Sequence, residues 1–318
     1  EMNYQETVNH SKVTEFILVG LSQQPASQIA LFWTLLIVYL VTLLGNSAII
    51  VAVWGEPQLH TPMYFFLSNL SFLDLLFSTS TVPLIMMNAL WDFPTISYND
   101  CFTQLAFRAF LALTECFLLA IMAYDRFVAI STPLRYSVIM NVRVCRGLAS
   151  ASWTVALLVT VIPVLTVPVS FCGRNAINHF SCEVQAIFKL LCSDTTLLES
   201  LMMASATISM PVPLAFILTS HLRILVAVFR IRPTKARLKA FSTCGSHLTT
   251  VVIYFGTLIY VYLKPQNKES QDQDKIFSIF YAAVTPMLNP LIYTLRNKDM
   301  KSALRKATLR TKSWWKIS

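Results

Sequence analysis

Seven long apolar stretches separated by polar ones set the pattern of this chain: 29–53, 62–88, 102–128, 146–168, 199–229, 238–263 and 275–295. Each is long enough for a helix to cross a bilayer, which takes roughly 20 residues. The apolar positions run in blocks, which points to helices rather than to the alternation of a β-barrel. The sixth stretch is the weakest. Its clean apolar run, Leu248 to Leu263, needs the mixed segment Ala240–His247 to reach across. The expected fold is an all-α membrane protein, a seven-transmembrane helix bundle. A short amphipathic C-terminal helix is expected after it, where Met300, Ala303, Leu304, Ala307 and Leu309 punctuate a basic stretch suited to the anionic inner leaflet.

The third stretch organises the rest. At helical spacing Arg108, Ala112, Glu115, Leu119, Met122 and Arg126 fall on one face. Three ionisable groups on an apolar span cost roughly 2.5–3.5 kcal/mol each on insertion, so they are expected to face the protein interior.

Composition agrees with the pattern: 55% of residues are hydrophobic and 13% charged, against about 25% charged in soluble domains. The net charge of +9 reads as topology rather than nucleic-acid binding. Four basic residues follow span three, six lie between spans five and six, and eight follow span seven, against six on the other face. The positive-inside rule then makes 1–28 an extracellular N-terminus, 29–295 the membrane domain and 296–318 a cytoplasmic helix and tail. The expected location is the plasma membrane, crossed several times. Residues 1–28 lack the basic start and apolar core of a cleavable signal peptide, and Asn9-His10-Ser11 is a glycosylation sequon if this end is outside.

Cysteines sort by side. Cys101, Cys172, Cys182 and Cys192 fall outside, where disulfides persist, and four allow three connectivities. Cys116, Cys145 and Cys244 lie within or below the membrane as free thiols. Helical rise puts Asn46, Asp74, Glu115 and Asn289 at similar depths, roughly 10–18 Å above the cytosolic ends of their spans. This is either an internal polar cluster with a structural and switching role or a water-filled packing defect stabilised by hydrogen bonds among Asn46, Asp74 and Asn289. It could hold Na⁺ or a proton between Asp74 and Glu115; no other cofactor is expected. Pro163, Pro168, Pro211, Pro213, Pro286 and Pro290 mark bends or ends.

Several motifs carry a resemblance. Asp125-Arg126, Asn289-Pro290-Leu291-Ile292-Tyr293, Asp74 and Asn46 together resemble the rhodopsin-like G-protein-coupled receptors. The runs Leu59–Ser71, Met122–Ile130, Lys239–Leu248 and Pro286–Asn297, with Glu115 and the extra loop cysteines, are similar to the class II odorant receptors. The resemblance implies disulfides Cys101–Cys182 and Cys172–Cys192, and coupling to a stimulatory-type heterotrimeric G protein that raises cyclic AMP. It departs from the family's usual pattern at Phe127, at Ser131 and at Tyr254-Phe255-Gly256, where the family usually has Phe-Tyr-Gly.

A small volatile odorant is expected in the outer half of the bundle. Its walls would be Arg108, Ala109, Ala112 and Leu113 from span three, and Thr207, Ile208 and Met210 from span five. Phe255, Leu258 and Ile259 from span six and Ala282 and Thr285 from span seven would complete them. Arg108 could pair with an acidic or carbonyl-bearing ligand, or with a loop acid such as Glu183. Asp125 and Arg126 would form a resting-state latch, with Tyr293 and His247 as switch elements near the cytosolic exit. Two other readings are a non-olfactory chemosensory receptor and a small-solute transporter, the latter opposed by the lack of an internal repeat. An enzyme is not expected: His10, His60, His179, His221 and His247 are scattered, with no metal or triad spacing.

Overall fold

The computed structural model describes residues 13–19, 25–90, 94–166, 175–192, 209–229, 234–263, 270–295 and 299–306, with a few isolated positions between them. Seven long helices form a bundle: α1 (Pro25–Gly55), α2 (Pro62–Leu90), α3 (Tyr98–Ser131), α4 (Val142–Thr166), α5 (Pro211–Phe229), α6 (Thr234–Leu263) and α7. The last comprises Ser270–Ile279, a π-helical segment Phe280–Val284 and Thr285–Leu295. Among the described residues six helices are long and apolar enough to cross a membrane. The helix outside that group is α6, whose lower part carries Lys235, Arg237 and Lys239. A further helical stretch, α8 (299–306), packs Met300 and Ala303 against the bundle, while Lys306 reaches Glu56 at 3.6 Å. Asn297 caps it, its Oδ1 accepting from the backbone N–H of Asp299 at 3.0 Å and of Met300 at 3.2 Å.

The bundle is apolar inside and outside. Leu70, Leu73, Leu111, Leu118 and Leu119 are fully buried, whereas Leu44 is 72% and Trp54 78% exposed on the outer surface. In lipid the driving force for this packing is van der Waals contact and interhelical hydrogen bonding rather than escape from water. Close approach is visible where α1 meets α7: a Cβ on Gly45 would lie 2.9 Å from Cγ of Pro290. The same proline explains Asn46. Pro290 has no N–H, so the Pro286 carbonyl four residues earlier loses its helical donor. Nδ2 of Asn46 supplies it, at 3.0 Å. The π-helical segment directly before Pro286 relieves the clash of that ring with the preceding turn.

The outer end carries a three-stranded sheet that no periodicity announced. Its strands are β1 (Glu15–Leu18), β2 (Thr95–Ser97) and β3 (Ala176–Ile177), in the order β2-β1-β3. β1 pairs antiparallel with β2 (Phe16 opposite Ile96) and parallel with β3 (Leu18 opposite Ile177). Under it Phe16, Leu18, Phe171, Cys101 and Ile187 form a separate small core. Ser97 caps α3, its Oγ accepting from the Asp100 N–H at 3.1 Å.

Candidate functional site

The cavity lies at the outer end of the bundle. It is a partly open cleft, about 570 Å³ of atom-free space when the open solvent is included, lined from α2, α3, α6, α7 and the loop 182–184. The loop is fastened from three sides. Cys182 is disulfide-bonded to Cys101 at the head of α3, its backbone N–H donates to Gln104 Oε1 (3.3 Å), and Asn88 Nδ2 donates to the Phe180 carbonyl (2.6 Å). The first of the two implied disulfides is thus present. Cys192 is also disulfide-bonded, while Cys172 lies outside the described residues. Cys116, Cys145 and Cys244 are free thiols, as expected from their position.

Arg108 belongs to this fastening. Its Nη1 donates to Ser181 Oγ (2.8 Å) and to the Cys182 carbonyl (3.4 Å), and its Nη2 lies 3.8 Å from Glu183 Oε2. Of the two expected partners, a ligand or a loop acid, the structure shows the loop acid. Beside it His179 is buried, its Nδ1 3.2 Å from Ser181 Oγ. Burial and the charges of Arg108 and Lys275 push that imidazole down to about 3, so the ring is neutral and can accept from Ser181.

The residues expected as walls fall in several places. Arg108, Ala109, Ala112 and Leu258 line the cavity. Leu113, Met210, Phe255, Ile259, Ala282 and Thr285 do not, and Ile208 lies outside the described residues. Phe255 and Ala282 are in the central core with Met210 against it, Thr285 is buried, and Ile259 and Thr207 are exposed. Helical rise gives each residue's depth but not the rotation of its helix against its neighbours. Phe77, Leu105, Val184, Thr257, Ser278 and Tyr281 line the cavity without having been expected at any site, and Cys182 and Glu183, expected as a disulfide partner and a loop acid, line it as well. For Cys182–Val184 a signal existed: the loop cysteine that the resemblance pairs with Cys101 brings its neighbours to the bundle mouth.

Below the cavity, fully buried Tyr254 ties α6 to α3. Its hydroxyl donates to the Ala112 carbonyl at 2.6 Å and lies 3.4 Å from Cys116 Sγ. Deeper still, Asn289 Nδ2 donates to both Asp74 oxygens (3.0 and 3.2 Å). Asn46 does not complete that cluster as expected; its amide goes to the Thr42 and Pro286 carbonyls. Glu115 is buried, and its Oε1 has no hydrogen-bond partner among the described residues.

At the cytosolic end lie Asp125 and Arg126, expected as a resting-state latch. Asp125 accepts from the Tyr136 hydroxyl (2.8 Å), and Arg126 Nε and Nη1 make no hydrogen bond among the described residues. Neighbours on a helix point about 100° apart, which favours outside partners over each other. The ties between helices come instead from His247 on α6. Its Nε2 lies 3.1 Å from the Leu119 carbonyl of α3, and its Nδ1 lies 3.4 Å from Nε2 of His221 on α5. The two rings are parallel to within 7°. Nδ1 of His221 returns to the Ile217 carbonyl at 3.0 Å. Tyr293 is buried in the central core. The sequon at Asn9 lies outside the described residues.

A cavity capped by a disulfide-anchored loop thus sits at the mouth of a helix bundle, and known proteins show which family has this chain's sequence. The sequence profile described as "Olfactory receptor" matches residues 35–311. Human olfactory receptor 13H1 is 49% identical over 95% of this chain and 98% of its own length. Human olfactory receptor 2G3 is 50% identical over 94% and 97%, and mouse olfactory receptor 8U3 is 48% identical over 94% and 94%. The chain belongs to the olfactory receptor family: it is a multi-pass membrane receptor that couples odorant binding to a G protein, and not an enzyme.

Proposed function

We propose that a small volatile odorant binds in the cavity between α3, α6, α7 and the loop 182–184, and that binding activates a stimulatory-type G protein that raises cyclic AMP. The observation that carries this reading is the position of the cavity directly above the Tyr254–Ala112 tie. A ligand filling the space beside Ala112 alters how α6 sits on α3, and the two helices diverge toward the cytosol. Outward movement of α5 and α6 then frees Arg126 for the partner. Leu134, 96% exposed in the turn after α3, is a ready contact for it. The distribution of Lys and Arg supports an extracellular N-terminus and a cytoplasmic C-terminus at the plasma membrane.

The test is cyclic AMP in cells expressing the chain, screened against acids, aldehydes, alcohols and esters, with Arg126→Ala alongside. A response in the parent chain that disappears in the variant is expected. Equal responses in the two would reject the proposed route to the G protein.

The same reading includes a monovalent cation, Na⁺ or a proton, between Asp74 and Glu115. The burial of both carboxyl groups, and a Glu115 Oε1 without a hydrogen-bond partner among the described residues, support it. With Na⁺ as the occupant, the purified protein melts at a higher temperature in sodium chloride than in choline chloride, and Asp74→Asn removes the difference. Identical melting in both salts would dismiss the ion.

A further inference from the structure

The hydrogen bonds of Arg108 are unevenly spent. Both of them leave from Nη1, to Ser181 and Cys182. Nη2 carries two N–H donors and, among the described residues, approaches only Glu183, at 3.8 Å, an ion-pair distance too long for a hydrogen bond. Arg108 and Glu183 both line the cavity, and Arg108 is nine-tenths buried. The wall therefore offers hydrogen-bond donors whose positive charge is partly balanced by a neighbouring carboxylate.

From this we infer the ligand class: a small neutral carbonyl compound, an aldehyde, ketone or ester. Its oxygen accepts from Arg108 Nη2, and its alkyl part lies against Phe77, Leu105, Ala109, Ala112 and Leu258. The inference rests on the cavity being the odorant site. A neutral acceptor gains a charge-assisted hydrogen bond and brings no new charge into the cavity. A carboxylate reaching the same donors meets Glu183 as a like charge and must itself be desolvated. An ammonium drawn to Glu183 is repelled by Arg108. An alkane leaves the donors unanswered.

The test uses purified receptor and a matched set of short compounds: hexanal, methyl pentanoate, hexanoate, hexylammonium and hexane. Apparent affinities are read from the dose dependence of thermal stabilisation. The two carbonyl compounds are expected to bind tightest. Arg108→Met should weaken them about tenfold or more, the worth of one hydrogen bond to a charged group, and leave hexane unchanged. Because Arg108 also fastens the loop, Glu183→Gln provides an independent arm. It keeps the side chain's size and should strengthen hexanoate about tenfold by removing one like charge.

Tightest binding of hexanoate or hexylammonium to the parent chain would overturn the inference. So would carbonyl affinity indifferent to Arg108→Met, hexanoate affinity indifferent to Glu183→Gln, or no carbonyl binding at all. Nucleotide exchange on a heterotrimeric G protein, measured with the same preparation, separates the two levels. Carbonyl binding without exchange removes the signalling reading and leaves the ligand class. Exchange driven only by the other compounds removes the ligand class and leaves the receptor.

Discussion

Cys101→Ser is expected to deplete folded receptor at the cell surface and to lower its melting temperature. The bond joins the head of α3 to the loop over the cavity, across 81 residues of sequence. Loss of a native disulfide in a small extracellular domain costs about 2–5 kcal/mol. The loop has other fastenings in Asn88, Gln104 and Arg108, each a hydrogen bond worth about 1 kcal/mol, or up to about 3 when charged. The disulfide is therefore the largest single contributor to the lid. Cys182→Ser should match Cys101→Ser, and the double variant should be no worse than either. The measurements are surface labelling and thermal melting of purified protein. A Cys101→Ser receptor that melts like the parent chain would assign the lid to the sheet and the small core around Phe16.

His247→Phe should raise basal nucleotide exchange, the second large effect. Phenylalanine fills most of the space but removes the contacts to Leu119 and His221, which join α6 to α3 and α5. With Nε2–H given to Leu119, Nδ1 of His247 accepts from His221 when that ring carries its proton on Nε2 rather than on the Nδ1 beside Ile217, and the pair then joins three helices. Losing a buried hydrogen bond between elements that part on activation costs the resting state about 1–2 kcal/mol. That shifts the resting-to-active ratio roughly tenfold. His221→Phe removes a single interhelical contact and should have the smaller effect. Reconstituted receptor without ligand is the preparation to use. Basal exchange unchanged in His247→Phe would mean that the resting state is held elsewhere, with Asp125 and Tyr136 the next place to look.

Much of the candidate site was legible one helix at a time. The face of α3 that carries Arg108, Ala112, Glu115, Leu119 and Arg126 is a property of helical period alone. Each of the five is buried, bonded across the interface or in the cavity wall. Residues proposed from the other spans are more scattered. Ile259 has the right depth but is 38% exposed, while Leu258, one position away, lines the cavity. One residue is about 100° of rotation, and no single-span pattern fixes that angle when both the lipid side and the core side are apolar. Asn46 illustrates a different limit. Its depth matched Asp74, but its amide goes to a carbonyl orphaned by Pro290, a demand that arises only when α1 and α7 meet.

The sequence by itself determined the helical membrane class, the free cysteines and the polar face of α3, because these follow from length, period and position along one segment, while the family and the Cys101–Cys182 pairing came from the resemblance of its motifs. The tertiary structure decided the three-stranded lid, the cavity's wall on the loop 182–184, the engagement of Arg108 with Ser181 and Glu183, and the His221–His247 tie. These depend on which side chains face one another across helices, and the lipid-like interior of a membrane bundle leaves that choice to close packing rather than to hydrophobic pattern.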